Sequence, residues 1–352
     1  MSACGRKLAP EAPLQVIPAR VEPVRLVQEG SDVVVRFPYP TKTAQGEPLS
    51  RLTKVTVYRD ILPAPEGAAP PPAPENGAAR DREEKLFKTR ASVVKELSRS
   101  DLDESAEGGD VVVRDPLVPL YYEKRIGRVF LRYGVTATRD VKRVSELSPF
   151  VAIRPRVPPE RPLGLVATVE ESRVCLDWIP PIAMLDGSRA VKVAGYAVYR
   201  RERGEEAYDA PLSVALNGPF AIDETVATGK KYLYTVRAAP TRDLPLVLGP
   251  PADEVLVDTT DVFPPPPPEG LLVLSEEGAN RLVWNPVLVK DLDFYRVYRF
   301  DEGAGRFVKF GEKIKEPTAL DSGAKSTARY AVTAVDLSGN ESAPAEAVGG
   351  RK

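Results

Sequence analysis

The sequence predicts an all-β chain made of three consecutive copies of one strand pattern. Two observations carry that expectation. Three strand-like runs recur in the same order along the chain, and proline, 36 of 352 residues, gathers in runs that separate the copies.

The first recurring element is an apolar run ending in a large aromatic residue. It reads Asp32-Val33-Val34-Val35-Arg36-Phe37, then Arg173-Val174-Cys175-Leu176-Asp177-Trp178, then Arg281-Leu282-Val283-Trp284. A proline follows each time, at Pro38, Pro180 and Pro286, and with no N–H to give a ladder it stops the strand. The second element carries tyrosine: Val55-Thr56-Val57-Tyr58-Arg59, Tyr196-Ala197-Val198-Tyr199-Arg200 and Tyr295-Arg296-Val297-Tyr298-Arg299. β-Branched and aromatic residues alternating with polar ones suit a half-buried antiparallel strand. The third is Tyr133-Gly134-Val135-Thr136-Ala137, Tyr234-Thr235-Val236-Arg237-Ala238 and Tyr330-Ala331-Val332-Thr333-Ala334.

This succession resembles the fibronectin type III family. The third copy carries the likeness best, with Pro268-Glu269-Gly270-Leu271 at its start and Ala334-Val335-Asp336-Leu337-Ser338-Gly339-Asn340-Glu341-Ser342 at its last hairpin. The second has Pro162-Leu163-Gly164-Leu165, Trp178 and Gly195-Tyr196. The first departs most, with Phe37 in place of tryptophan and a long insertion in its middle. The resemblance implies three tandem immunoglobulin-like Greek-key β-sandwiches, each of two antiparallel sheets. It also implies that Trp178 and Trp284 lie between the sheets, and that Tyr133, Tyr234 and Tyr330 fasten a crossing loop through their hydroxyls.

The expected boundaries are a tether over 1–22, a first domain over 23–155 with its insertion at 62–110, a second over 160–260 and a third over 266–348. The connectors, Arg154-Pro155-Arg156-Val157-Pro158-Pro159-Glu160-Arg161-Pro162 and the five prolines after Phe263, suit polyproline II and predict an extended row of domains. Within the insertion, residues 63–81 are low-complexity and predict a mobile loop whose deletion leaves melting nearly unchanged. Residues 83–102 carry Leu86, Phe87, Val93, Val94 and Leu97 at helix-like spacing with a Glu84–Lys88 pair. A short amphipathic helix packed on the sandwich is the favoured reading there, and an extended edge strand is the rival. Phe87, Val94 and Leu97 then either cover the sandwich or meet a partner.

Chemistry is sparse. The chain has no histidine, so it lacks the side chain most used for proton transfer near neutral pH and the commonest zinc ligand. Its two cysteines, Cys4 and Cys175, form no metal spacing and no disulfide framework, and no base accompanies Cys175. No nucleophile elbow or phosphate loop occurs. Asp336-Leu337-Ser338-Gly339-Asn340 offers oxygens for calcium but fits a hairpin turn better. With 49 basic and 50 acidic side chains mixed along the chain there is no concentrated basic face for nucleic acid. Catalytic residues, cofactors and metals are therefore not expected.

The start, Ser2-Ala3-Cys4-Gly5, resembles the end of a bacterial lipoprotein signal, where the cysteine is lipidated; a charged and apolar region would have to precede it. Two readings stand: a start truncated upstream, with Cys4 the lipidation site, or an incidental cysteine. The leading expectation is a non-enzymatic cell-envelope lipoprotein acting as a spacer or protein-binding scaffold. Its partner would be an envelope protein or polysaccharide, and its membrane contact the lipid on Cys4. The rival is a carbohydrate-binding or substrate-positioning accessory of an envelope enzyme, which needs a line of exposed aromatics on one face.

Overall fold

The computed structural model describes residues 16–71, 77–107, 109–208, 211–213, 218–276 and 278–349. Cys4 and most of the expected tether lie outside them. The chain forms two compact units: Met1–Val226 with Lys231–Asp258, and Ala227–Lys230 with Thr259–Lys352. The first unit holds two repeats and the second unit one.

The third repeat has the simplest plan. Its strands are β17 (Leu272–Glu276), β18 (Ala279–Val283), β19 (Leu292–Asp301), β20 (Arg306–Ile314), β21 (Thr318–Ser322), β22 (Arg329–Asp336) and β23 (Ala345–Val348). They pair as two antiparallel sheets, β17-β18-β21 and β20-β19-β22-β23, the seven-strand order expected of a fibronectin-type-III-like sandwich. Leu282, Trp284, Tyr295, Val297, Tyr330 and Val332 fill the space between them.

The second repeat comprises β10 (Leu163–Glu170), β11 (Arg173–Ile179), β12 (Gly195–Glu202), β13 (Phe220–Asp223), β14 (Lys231–Ala239), β15 (Val247–Leu248) and β16 (Val255–Asp258). Its sheets are β10-β11-β13 and β12-β14-β16. The period-two pattern sets which side chains enter: Val174, Leu176 and Trp178 of β11 are buried, while Asp177 and Ile179 face out. Trp178 meets Tyr196 edge-on at 5.1 Å, and Trp284 meets Tyr295 in the same way at 5.2 Å.

The first repeat runs β1 (Arg25–Glu29), β2 (Asp32–Pro38), β3 (Lys54–Pro63), α1 (Gly77–Arg90), β4 (Ser92–Ser98), α2 (Arg99–Glu104), β5 (Ala106–Glu107), β6 (Asp110–Pro116), α3 (Val118–Tyr122), β7 (Val129–Asp140), β8 (Arg143–Val144) and β9 (Val151–Ile153). One sheet has β1-β2-β6-β5 and the other β4-β3-β7-β8, with β9 also on β7. Phe37 is fully buried where the other repeats place tryptophan.

The insertion is neither a single helix nor a single strand. Helix α1 ends at Arg90, with Lys88 and Arg90 in its last turn where cations favour the dipole, and β4 begins two residues on. The β-branched pair Val93-Val94 suits a strand, and pairing with β3 satisfies an edge that would otherwise be open. Ser98 and Asp101 then form a reciprocal capping box that starts α2. The mobile-loop expectation for 63–81 is corrected at both ends. Pro63 lies in β3, Ala64 donates its N–H to Arg128 O, and Arg80 in α1 pairs with Glu84 and Glu146. Removing all of 63–81 would therefore cut a strand end and a helix. Among the described residues no helix is long and apolar enough to cross a membrane.

Candidate functional site

Of the residues singled out for lipidation or partner contact, Cys4 lies outside the described residues. Phe87 and Leu97 are 1% and 2% exposed, and Val94 is half-buried against the core of the first repeat. The alternative of core cover is thus the one their placement fits, and Phe87 and Leu97 are not free to meet a partner. Phe87 sits on Phe150 at 4.8 Å and over Gly134, where an added Cβ would come 3.2 Å from the Phe87 ring. Arg132 stacks on both rings and pairs with buried Asp60 at 2.9 Å and with Glu83 at 2.9 Å. Of the large apolar residues of this segment, Leu86 and Val93 face solvent.

The tyrosine hydroxyls do not fasten a loop as expected; they bind an aspartate on the opposite sheet. Tyr133 donates to Asp115 at 2.6 Å, Tyr234 to Asp223 at 2.8 Å and Tyr330 to Asp321 at 2.7 Å. An arginine closes each group: Arg59 donates to Asp115 at 2.9 Å, Arg200 to Asp223 at 2.8 Å and Arg299 to Asp321 at 3.1 Å. Arginine and tyrosine come from one sheet and aspartate from the other, so each repeat carries a charged stitch between its layers. The Tyr-Arg dipeptides were visible in the sequence. The aspartates were not, because they precede their tyrosines by 18, 11 and 9 residues.

These groups have shifted titrations. Burial, with the Asp321 carboxylate opposing ionisation, pushes Tyr330 up to about 12. Burial also raises Tyr133 and Tyr234. At Asp223 burial works upward, but hydrogen bonds from Thr225 and Tyr234 and the charge of Arg200 outweigh it and hold the carboxyl below its usual range. The shift at Asp223 serves stability, since the folded state favours the ionised carboxylate.

The first two repeats meet along a strand edge. β15 adds in parallel to β1, with Gln28 opposite Val247 and Glu29 opposite Leu248. Gln28 N donates to Leu246 O at 2.9 Å, and Gly30 N to Leu248 O at 2.8 Å. The Gln28 side chain is fully buried: its Nε2 donates to Arg156 O at 2.7 Å and its Oε1 accepts from Arg156 N at 2.9 Å. Leu248, Ala197 and Ala239 pack against Val27, Tyr199 and Leu246. The connector that was expected to hold these repeats apart is instead bonded into their junction. Sequence reasoning missed this because β15 is two residues long and pairs outside its own sandwich.

Gly249 follows β15, and an added Cβ there would stand 2.3 Å from the carbonyl oxygen of Pro159. Gly249→Ala should therefore loosen the junction at a cost of about 1–3 kcal/mol, since neither backbone can yield without moving the connector. Hydrogen exchange should rise at residues 154–161 and in β15 while β11 and β14 keep their protection. Unchanged exchange at the connector would contradict the contact.

Carboxylate and thiol groups also gather at two further places. The carboxylates of Asp261, Asp291 and Asp336 offer oxygens within 4.8 Å of one another. Asp336 accepts from Asn340 N at 2.8 Å and Asn340 Nδ2 at 2.9 Å, while Asp261 accepts from Ser338 at 2.9 Å, so these oxygens shape the hairpin turn expected there. Cys175 is half-buried on the outer face of β11, 3.4 Å from Glu170, and burial with that carboxylate raises its pKa away from thiolate.

The fold is thus a tandem arrangement of fibronectin-type-III-like sandwiches, a class whose fold does not by itself fix a function. Solved structures similar to the chain include the FN1–FN3 domains of chicken CNTN1, 15% identical over 95% of this chain and 99% of that one, with a TM-score of 0.27. A two-domain fibronectin type III segment from chicken tenascin is 16% identical over 53% of this chain and 97% of its own, with a TM-score of 0.35. It is the strand order, not those scores, that fixes the fold. No protein-family model matches the chain, and no curated protein matches it in sequence.

Proposed function

We propose that the chain is a non-enzymatic bacterial cell-envelope lipoprotein whose three fibronectin type III copies act as a spacer or protein-binding scaffold. The observation that carries the scaffold reading is the β1–β15 pairing with its buried Gln28, which makes two sandwiches one body able to hold loops and faces in fixed relation. The anchor rests on Ser2-Ala3-Cys4-Gly5 alone. The carbohydrate alternative has less support. Among the described residues the strongly exposed aromatic rings are Tyr122 and Phe220, which stand in different repeats and form no line.

Native protein should partition into detergent, begin at Cys4 and carry acyl mass, and Cys4→Ser should move it to the soluble fraction. An unmodified Cys4 in native protein would remove the anchor from this reading.

A further inference from the structure

The junction of the first two repeats encloses more than contacts. A cavity of about 1200 Å³ opens between the Pro63–Pro70 segment, the turn at Gly127 and Arg128, the connector at Arg154 and Arg156, and the Thr241–Val247 loop that leads into β15. That exceeds the roughly 300–1,000 Å³ usual for small-molecule sites, so a small ligand would fill part of an open cleft. Three guanidinium groups line it, against two carboxylates, Glu66 and Asp243.

Arg154 gives its hydrogens to neutral main-chain oxygens: Gly127 O at 2.9 Å, Ala64 O at 3.1 Å and Pro65 O at 3.0 Å. Its plane lies over the Phe130 ring, so it builds the wall while no carboxylate among the described residues cancels its charge. Arg156 reaches Asp243 only at 3.5 Å, and that carboxylate is 75% exposed, a pairing that solvent screens. Arg128 is exposed and meets no carboxylate among the described residues. Three arginines thus converge on one concave site against Glu66 and the weakly paired Asp243, which leaves a net positive charge. A guanidinium fork recognises carboxylate and phosphate oxygens by paired hydrogen bonds.

We infer that this cavity binds a small polyanion bearing carboxylate or phosphate groups, held by Arg128 and Arg156, with Asp243 as the internal competitor it displaces. The site needs both repeats in place, so its ligand would also tie the junction together. The inference is independent of the envelope reading, because it concerns the folded chain alone and does not involve Cys4.

Isothermal titration of the full chain at low salt with citrate and, separately, with inorganic pyrophosphate tests it. Saturable heat with citrate alone assigns the carboxylate class, and with pyrophosphate alone the phosphate class. Arg128→Ala and Arg156→Ala should each weaken the effective probe by about tenfold, roughly 1.4 kcal/mol, whereas Asp243→Asn should tighten it. Arg128 and Asp243 are exposed, so wild-type melting of those two variants separates loss of binding from loss of fold. No saturable heat with either probe, or affinity unchanged in Arg128→Ala and Asp243→Asn, overturns the inference.

Discussion

Trp178→Ala should destabilise the second repeat by about 3–5 kcal/mol, and Trp284→Ala the third by as much. Each indole is almost fully enclosed, 5% and 3% exposed, and rests edge-on against a buried tyrosine of the facing sheet. Truncation removes a large apolar area and leaves a void that rigid strands cannot close. Hydrogen exchange in β12 and β14 reports the first variant, and exchange in β19 and β22 the second. The damage should stay within the altered repeat for Trp284, which sits in a separate compact unit. For Trp178 it should extend to β1, because β15 of the second repeat pairs with that strand. Wild-type protection in either variant would mean that the indole lies outside the core.

Asp223→Ala should cost the second repeat about 3–5 kcal/mol, the range for breaking a buried ion pair by removing one partner. The carboxylate accepts from Arg200 at 2.8 Å, Tyr234 at 2.8 Å and Thr225 at 2.7 and 2.9 Å, and alanine leaves those donors facing one another. Tyr234→Phe removes one neutral donor and should cost about 1 kcal/mol. The linkage has a definite sign. The folded carboxyl is held below its usual range, so the native state favours the ionised form. That stabilisation is complete above the unfolded value, about 3.9, and is lost as pH falls from there through the lower folded value. Wild type should accordingly lose stability on acidification in a component that Asp223→Ala lacks. With Trp284 changed to phenylalanine, the chain's two tryptophans reduce to Trp178, whose fluorescence follows the second repeat. Equal acid sensitivity of the two proteins would show that Asp223 is not the linked group.

Much of the architecture was legible in the residues. Val174, Leu176 and Trp178 alternate as a half-buried strand must, and the tyrosine strands repeat in a fixed order, so strand identity and sheet membership follow from local period and punctuation. Phe87 and Leu97 were recognisable as residues needing cover. What remained open was whether that cover was the sandwich or a partner, and whether the segment was helical. The structure divides the segment into α1 and β4, because the open edge of β3 accepts a strand and the outer face at Gly134 accepts a ring.

The sequence by itself determined the repeat, the cores and the lack of histidine chemistry, because these depend on side-chain type and short-range spacing. Tertiary structure alone decided the Arg–Asp–Tyr stitches, the parallel addition of β15 to β1 and the cavity beside it. Those features join residues from 9 to 218 positions apart, through bonds whose partners leave no periodic trace in the chain. Only folding, which satisfies buried donors and open strand edges with whatever groups the packed layers bring within reach, selects them.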